Sequence, residues 1–425
     1  MLWQQSCYLI KIVFKNPLVT PKTIDNKMRI MYYRESLFRN VSNIMQAVIY
    51  LISIILSLIQ VNGYTATENC QQQKCIAVID AGSTGSRLHM YSYDLDKTSS
   101  PINITERWSK KISPGLATIE ADKISVDNYL GNLFQNAPGN LQPVYFYATG
   151  GMRLLPLPKQ QKIHQFIQNW FQIHDSWQLK NTKTITGSEE GLFGWLSVNY
   201  QLGTLANNQK SVGIMDMGGA SVQIVFPVTE AAVSNNQDLQ QLTIYGQHYK
   251  LFVHSFLGMG QNEVTHQFLD SKNCFVNNYE IPTGELAQGD AYACEQEISP
   301  LTNTVHQVKD IVQPVLSANP VKTWYVLGGL VDLATSQPFD FNEGTFNNQE
   351  LLEKANTQLC QQQWSVIHDQ YPDNDYLYGY CVFPAYYYSL IVDGYGIQPQ
   401  QKLNYLGKGQ NNDWTLGVVL LEHAA

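Results

Sequence analysis

With 425 residues the chain has room for two packed domains, and 44% hydrophobic against 15% charged residues fits a globular protein and excludes a disordered one. The net charge of -8 argues against general nucleic-acid binding. Residues 1–63 hold seven Lys/Arg and two Asp/Glu, which leaves 20 basic against 33 acidic residues in the remainder. An anionic ligand must therefore be held locally, by loops and a cation, against the field of the whole chain.

Arg29, Arg34 and Arg39 precede the apolar run Ala47 to Ile59. Thirteen residues are short for a membrane span and suit the hydrophobic region of a signal peptide, so no stable span is expected and the body is predicted to be secreted or periplasmic. An uncleaved anchor is the alternative. Cys7 lies in this segment, and the other six cysteines fall into local couples: Cys70 with Cys75, Cys274 with Cys294, Cys360 with Cys381. Six cysteines allow 15 pairings, of which the nearest-neighbour one is preferred. Their even number behind an export signal points to disulfides, and none has the tight spacing of a zinc site.

The first predicted strand, Cys75 to Ile79, ends in Asp80, passes through the small-residue turn Ala81-Gly82-Ser83-Thr84-Gly85-Ser86-Arg87, and continues as a second strand, Leu88 to Tyr93. Val212 to Met215 repeats the pattern, ending in Asp216 and turning through Met217-Gly218-Gly219-Ala220-Ser221 into Val222 to Phe226. Backbone amides in such turns can approach a phosphate, with the Asp aimed at a cation.

Between these hairpins, a helix over Ile124–Phe134 and a buried strand Val144–Ala148 are predicted, the strand running into Thr149-Gly150-Gly151-Met152-Arg153. That turn reads either as a third phosphate loop or as an ordinary glycine turn with a surface Arg. A helix from Lys159 to His174 follows. Thr186 or Ser188 then caps a helix whose first turn holds Glu189 and Glu190; the acids serve either chemistry or the helix dipole. Residues 199–209 read as a link.

Beyond the second hairpin, alternation at Leu242, Ile244, Tyr249, Leu251 and Val253 predicts an antiparallel pair. His254 to Gln261 reads as a strand leading to a helix, and the Cys274–Cys294 segment as a surface loop. A helix from Glu295 to Val312 precedes a strand, Thr323 to Leu327, that ends in Gly328-Gly329. Tyr376, Tyr378, Tyr380 and Tyr386–Tyr388 are chiefly packing residues, with one or two able to stack on a base. Asp373-Asn374-Asp375 lacks the central Gly and terminal Glu of a calcium loop. Trp414 to Leu420 is predicted as a last strand. Cys and His offer no nucleophile–base pattern.

The ordered motifs Asp80-Ala-Gly-Ser-Thr-Gly-Ser-Arg87, Ala148-Thr-Gly-Gly-Met-Arg153, Ile185-Thr-Gly-Ser-Glu-Glu-Gly-Leu-Phe-Gly-Trp195, Asp216-Met-Gly-Gly-Ala-Ser221 and His254-Ser-Phe-Leu-Gly258 resemble the nucleoside triphosphate diphosphohydrolase (apyrase) family of the actin/Hsp70/sugar-kinase superfamily. The tail at Trp414 is similar to secreted bacterial members. The resemblance implies an α/β fold of two ribonuclease-H-like lobes with the active site in the interlobe cleft: 64–200 plus 400–425 as lobe I, 201–399 as lobe II, and 1–63 as signal peptide and upstream extension. It implies removal of terminal phosphates from nucleoside tri- and diphosphates with Mg2+ or Ca2+, and the chain is expected to be a monomer. By motif, Glu190 is the general base, and Ser221 and Gln223 orient the water. Ser83, Thr84, Gly85, Ser86, Arg87, Thr149, Arg153, Gly219 and Ala220 bind phosphate, while Asp80, Asp216 and Trp414 act on the metal through its waters. Asp332 and Tyr376 would flank the base. Asp332 stands where Asn is usual and Gly150 where Ala is usual. The alternatives are an exopolyphosphatase-like or kinase-like enzyme of the same superfamily, and a non-hydrolytic nucleotide-binding module.

Overall fold

In a computed structural model of the protein the described residues are Cys70, 74–139, 142–205, 210–229, 236–407 and 409–422; the predicted signal peptide and Cys7 lie outside them. Two sheets organise the chain. The first has β1 (Lys74–Ala81), β2 (Ser86–Leu95), β3 (Pro101–Ile112), β4 (Gln142–Ala148) and β5 (Trp177–Thr184) in the order β3-β2-β1-β4-β5. The first three strands form an antiparallel meander, and β4 and β5 add in parallel. Parallel neighbours need a crossover, supplied here by helices Lys123–Phe134 and Leu157–Gln172. Asp122 caps the first of these, accepting from the Ser125 amide.

The second sheet contains β6 (Gly213–Met217), β7 (Ser221–Pro227), β8 (Leu239–Ile244), β9 (Gln247–Leu257), β10 (Trp324–Gly328), β11 (Thr345–Phe346) and β12 (Leu403–Asn404), ordered β11-β12-β10-β6-β7-β9-β8. Both sheets are covered on two faces, which explains why β1, β4, β6 and β7 read as continuous apolar runs. On one face of the first sheet, Ile79 and Phe146 pack with Leu130 and Ile167 of the crossover helices. On its other face, Val78 and Tyr147 share a core with Phe193 and Trp195 of helix Gly187–Gln201, with Val418 of the terminal helix, and with Ile214, Val225 and Leu327 of the second sheet. Helix Gly187–Gln201 is thus packed between the sheets.

The other strand and hairpin expectations agree with these elements, and three expectations do not. Trp414 to Leu420 is not a strand: Thr415–Leu421 forms a helix packed on helix Gly187–Gln201. The single helix over 295–312 is instead Ala291–Pro300, a wider helical turn at Leu301–Val305 that follows Pro300 with its missing amide donor, and Val308–Ala318, the break falling at Gln307 in the left-handed region. The Cys274–Cys294 segment is not a surface loop throughout, because Cys274, Phe275, Val276 and Ile281 are buried. Leu403 and Asn404 pair with β10, so the chain leaves the second sheet only after Asn404. The preferred cysteine couples, Cys70–Cys75, Cys274–Cys294 and Cys360–Cys381, are all disulfide-bonded.

Candidate active site

The two sheets end their first hairpins alike. Asp80 on β1 lies opposite Arg87 on antiparallel β2 and beside Tyr147 on parallel β4. Asp216 on β6 lies opposite Gln223 on β7 and beside Leu327 on parallel β10. Each parallel neighbour then runs into a glycine-led helix, Gly150–Arg153 after β4 and Gly329–Thr335 after β10. The two turns approach so closely that a Cβ on Gly219 would fall 2.5 Å from the Ser83 hydroxyl, which would have to move to admit it.

A cleft of about 650 Å³ opens between these turns. Ser83, Thr84, Gly85, Ser86, Arg87, Thr149, Gly219 and Ala220 line it together with Asp80, Glu190, Asp216, Ser221 and Trp414. Asp332 and Tyr376 also line it, in company with Tyr380 and Phe383. Of the residues expected at the site, Arg153 and Gln223 are not in the cleft wall. They lie behind it: Arg153 Nη2 donates to Glu190 Oε2 (2.8 Å) and Ser221 Oγ (2.6 Å), and Gln223 Nε2 donates to Ser221 Oγ (2.9 Å), Ser255 Oγ (3.1 Å) and Glu190 Oε2 (3.3 Å). Arg153 Nη1 is fixed on the Ile185 carbonyl (3.1 Å). Glycine at 150 leaves room for this cluster, since a Cβ there would meet Ser221 Oγ at 2.8 Å and Arg153 Nη2 at 3.3 Å.

The two glutamates at the helix start separate by role. Glu189 Oε2 accepts from the Thr186 amide (2.8 Å) while Thr186 Oγ1 accepts from the Glu189 amide (3.1 Å), a reciprocal cap. Glu189 also pairs with Lys183. Glu190, one position on, points into the cleft and is 7% exposed.

Four carboxylates gather in this space. Burial, with repulsion from Asp413 and Glu190, pushes Asp80 up to about 8. Burial, then Glu190, Asp80 and Asp413, raises Asp216 well above the carboxylate range. Burial also raises Glu190, opposed by the Arg153 guanidinium. Asp413 goes the other way: against burial, His89 and hydrogen bonds from Thr415 hold it at about 2. Asp80 Oδ1 is buried without a hydrogen-bond partner. An orphaned oxygen among oxygen donors suits a hard divalent cation, which would relieve both burial and repulsion. Among the described residues no three acidic, His or Cys side chains form a group that could hold an ion directly.

Asp413, Asn412, Lys111 and Gln261 also face the cleft and were not foreseen. The one available signal was that Asn412 and Asp413 precede Trp414; Lys111 and Gln261 reach the cleft only through tertiary folding. Trp414 is 3% exposed, its ring stacked with Phe193 (6.0 Å) and Tyr147 (6.5 Å). Among the described residues no helix is long and apolar enough to cross a membrane.

Residues 66–425 match the GDA1/CD39 (nucleoside phosphatase) family. The Caenorhabditis elegans nucleoside-diphosphatase mig-23 is 26% identical over 82% of this chain and 77% of its own length. Ectonucleoside triphosphate diphosphohydrolase 1 of Mus musculus is 25% identical over 81% of this chain and 79% of its own. Among solved structures, a nucleoside triphosphate hydrolase of Neospora caninum superimposes with a TM-score of 0.59 at 13% identity, covering 88% of this chain and 96% of that one. A Ppx/GppA family member from Aquifex aeolicus reaches 0.50 at 14% identity, covering 82% and 97%. These likenesses place the chain in the two-lobed actin-like ATPase fold.

Proposed function

The chain belongs to the GDA1/CD39 (nucleoside phosphatase) family and is a phosphoanhydride hydrolase, and from that premise we propose that it removes terminal phosphates from nucleoside tri- and diphosphates by attack of a water that Glu190 deprotonates. The observation that carries this reading is the placement of Glu190, buried at the cleft wall and bonded to Arg153 and Gln223, which both also hold Ser221. Phosphoryl transfer depends on charge neutralisation and alignment more than on covalent catalysis. The turns at Ser83–Ser86 and Gly218–Ser221, with Arg87 and Thr149, would cradle the terminal phosphates. Asp80 and Asp216, with Trp414 beside them, would hold a hydrated Mg2+ or Ca2+, which when bound neutralises charge on the phosphate oxygens. Ser221, held from behind by Gln223, would align the water, and Glu190 would take its proton, with Arg153 opposing the effect of burial on its carboxylate.

Asp332 and Tyr376 would receive the base. The aromatic wall of Tyr376, Tyr380 and Phe383 favours a base-bearing substrate over bare polyphosphate. The predicted export segment and the three disulfides support a secreted or periplasmic location. Phosphate release from a panel of tri- and diphosphates, with Mg2+ or Ca2+ and then with EDTA, tests the reading. Hydrolysis that stops with EDTA and returns with either metal is expected; metal-independent turnover refutes the cation role of Asp80 and Asp216.

A further inference from the structure

The segment 409–414 forms a thin wall between two cavities. On one side Asn412, Asp413 and Trp414 face the cleft. On the other, Gly409, Gln410 and Asn411 face a second cavity of about 570 Å³, also lined by Glu106 and Tyr91. Trp414 is held by packing on Phe193 and Tyr147, but Asn411, Asn412 and Asp413 border open volume and have less of that restraint. Directed polar bonds must then set the position of the residues before Trp414.

Those bonds converge on His89. This residue lies on β2, two positions beyond Arg87, and is 2% exposed. Its Nδ1 lies 2.9 Å from Glu106 Oε1 on β3, and its Nε2 lies 3.1 Å from Asp413 Oδ2. The second contact is a charge pair and not an aligned hydrogen bond. Asp413 Oδ1 in turn accepts from the Thr415 amide (2.8 Å) and the Thr415 hydroxyl. Tyr91 stacks on the imidazole with ring centres 5.9 Å apart, and its hydroxyl bonds Thr415 Oγ1 (2.6 Å) and Asn411. Glu106, His89, Asp413 and Thr415 therefore form one chain of contacts. It runs from the outer strand of the first sheet to the residues on either side of Trp414.

We propose that His89 is a positioning residue for hydrolysis: by bridging Glu106 and Asp413 it fixes the 412–414 wall, and with it Trp414, against the strand that leaves the phosphate turn. His89 touches no reacting atom. Its effect passes through Asp413 to the side of the cleft where the hydrated cation would sit, while the phosphate turns are held independently by β1, β2, β6 and β7. Loss of the bridge should therefore change turnover and cation affinity more than nucleotide affinity. This inference rests on the cleft being the hydrolytic site.

The test uses His89→Gln, which leaves Asp413 without a cationic partner, and Glu106→Gln, which alters the more exposed end of the relay, where folding is least at risk. Outer residues that orient a site typically contribute about tenfold to 100-fold. For His89→Gln, kcat should fall by about that factor with KM for nucleotide within roughly twofold. Mn2+ affinity, measured calorimetrically with a non-hydrolysable nucleotide bound, should weaken by at least about fivefold. Glu106→Gln should show a smaller loss in the same direction with an unchanged melting temperature, and the double variant should lose less than the product of the two, as members of one relay do. Wild-type kcat and Mn2+ affinity in folded His89→Gln would overturn the proposal. So would multiplicative losses in the double variant, or a loss in Glu106→Gln explained by its unfolded fraction. Failure of the wild-type protein to hydrolyse any nucleotide would instead overturn the hydrolase reading, while the Mn2+ measurement still reports on the wall.

Discussion

At the scale of single residues, two adjacent glutamates that look alike in sequence do different work. Glu189 closes a helix cap and Glu190 faces the cleft. Glu190→Gln should keep nucleotide binding and lower phosphate release by roughly 100-fold or more, as loss of a positioned base does; near-wild-type turnover would refute the assignment. Asp80 gives a second test. Its carboxyl is raised from 3.8 to about 8 in the fold, so the fold favours the neutral form. The stability this contributes is present below about pH 4 and lost as pH rises through about 8. In EDTA the melting temperature should therefore drop across that window, and Mg2+ should raise it more at pH 8 than at pH 5. A Mg2+ gain independent of pH would separate Asp80 from the cation. Asp80 and Asp216 could be singled out because each ends a strand in a small-residue turn whose chemistry is local, whereas Glu190 was set apart from Glu189 only by the family resemblance. Asp413 was not, because its importance comes from His89, a residue more than 300 positions away in the chain.

At the scale of elements, the strands were read well and the tail was not, for one physical reason. Alternation or a β-rich apolar run marks a strand, but Trp414 to Leu420 is buried almost all round, and an all-apolar stretch has no period to tell a helix from a strand. The helix expected over 295–312 widens after Pro300 and breaks at Gln307, whose φ is +53°, while Pro314 sits inside the next helix without breaking it. Two element-level variants follow. Thr186→Ala removes the cap of the helix that carries Glu190 and should cost about 1 kcal/mol in urea unfolding. The Cys360–Cys381 bridge closes the segment bearing Asp373, Asn374, Asp375 and Tyr376, all of which line the cleft. Replacing both cysteines by Ser should lower stability by about 2–4 kcal/mol and raise KM for nucleotide more than it lowers kcat. An unchanged KM would remove that segment from substrate binding.

For the whole molecule, the decisive arrangement is a helix held between two sheets whose turns face each other. Helix Gly187–Gln201 packs its buried residues into a core shared by both sheets, so its amides should be among the slowest to exchange with solvent. Exchange as fast as in the exposed crossover helix Leu157–Gln172 would contradict that packing. Ligand binding across the cleft should stabilise both sheets together: a non-hydrolysable nucleotide with Mg2+ at 100 times its Kd should add about 2.7 kcal/mol to unfolding. The sequence revealed two matched hairpins, but their opposition, with Gly219 against Ser83, is a tertiary fact no local pattern records.

The terminal helix has a consequence for how the protein comes into being. Trp414 and its neighbours complete the cleft, yet they follow both sheets in the chain and are held by a helix docked on Gly187–Gln201. On the ribosome the phosphate turns emerge hundreds of residues before the wall that closes them. A nascent chain can assemble its strands while the wall beside its carboxylates is still missing. The cleft therefore gains this wall only after the strands of both sheets have been synthesised.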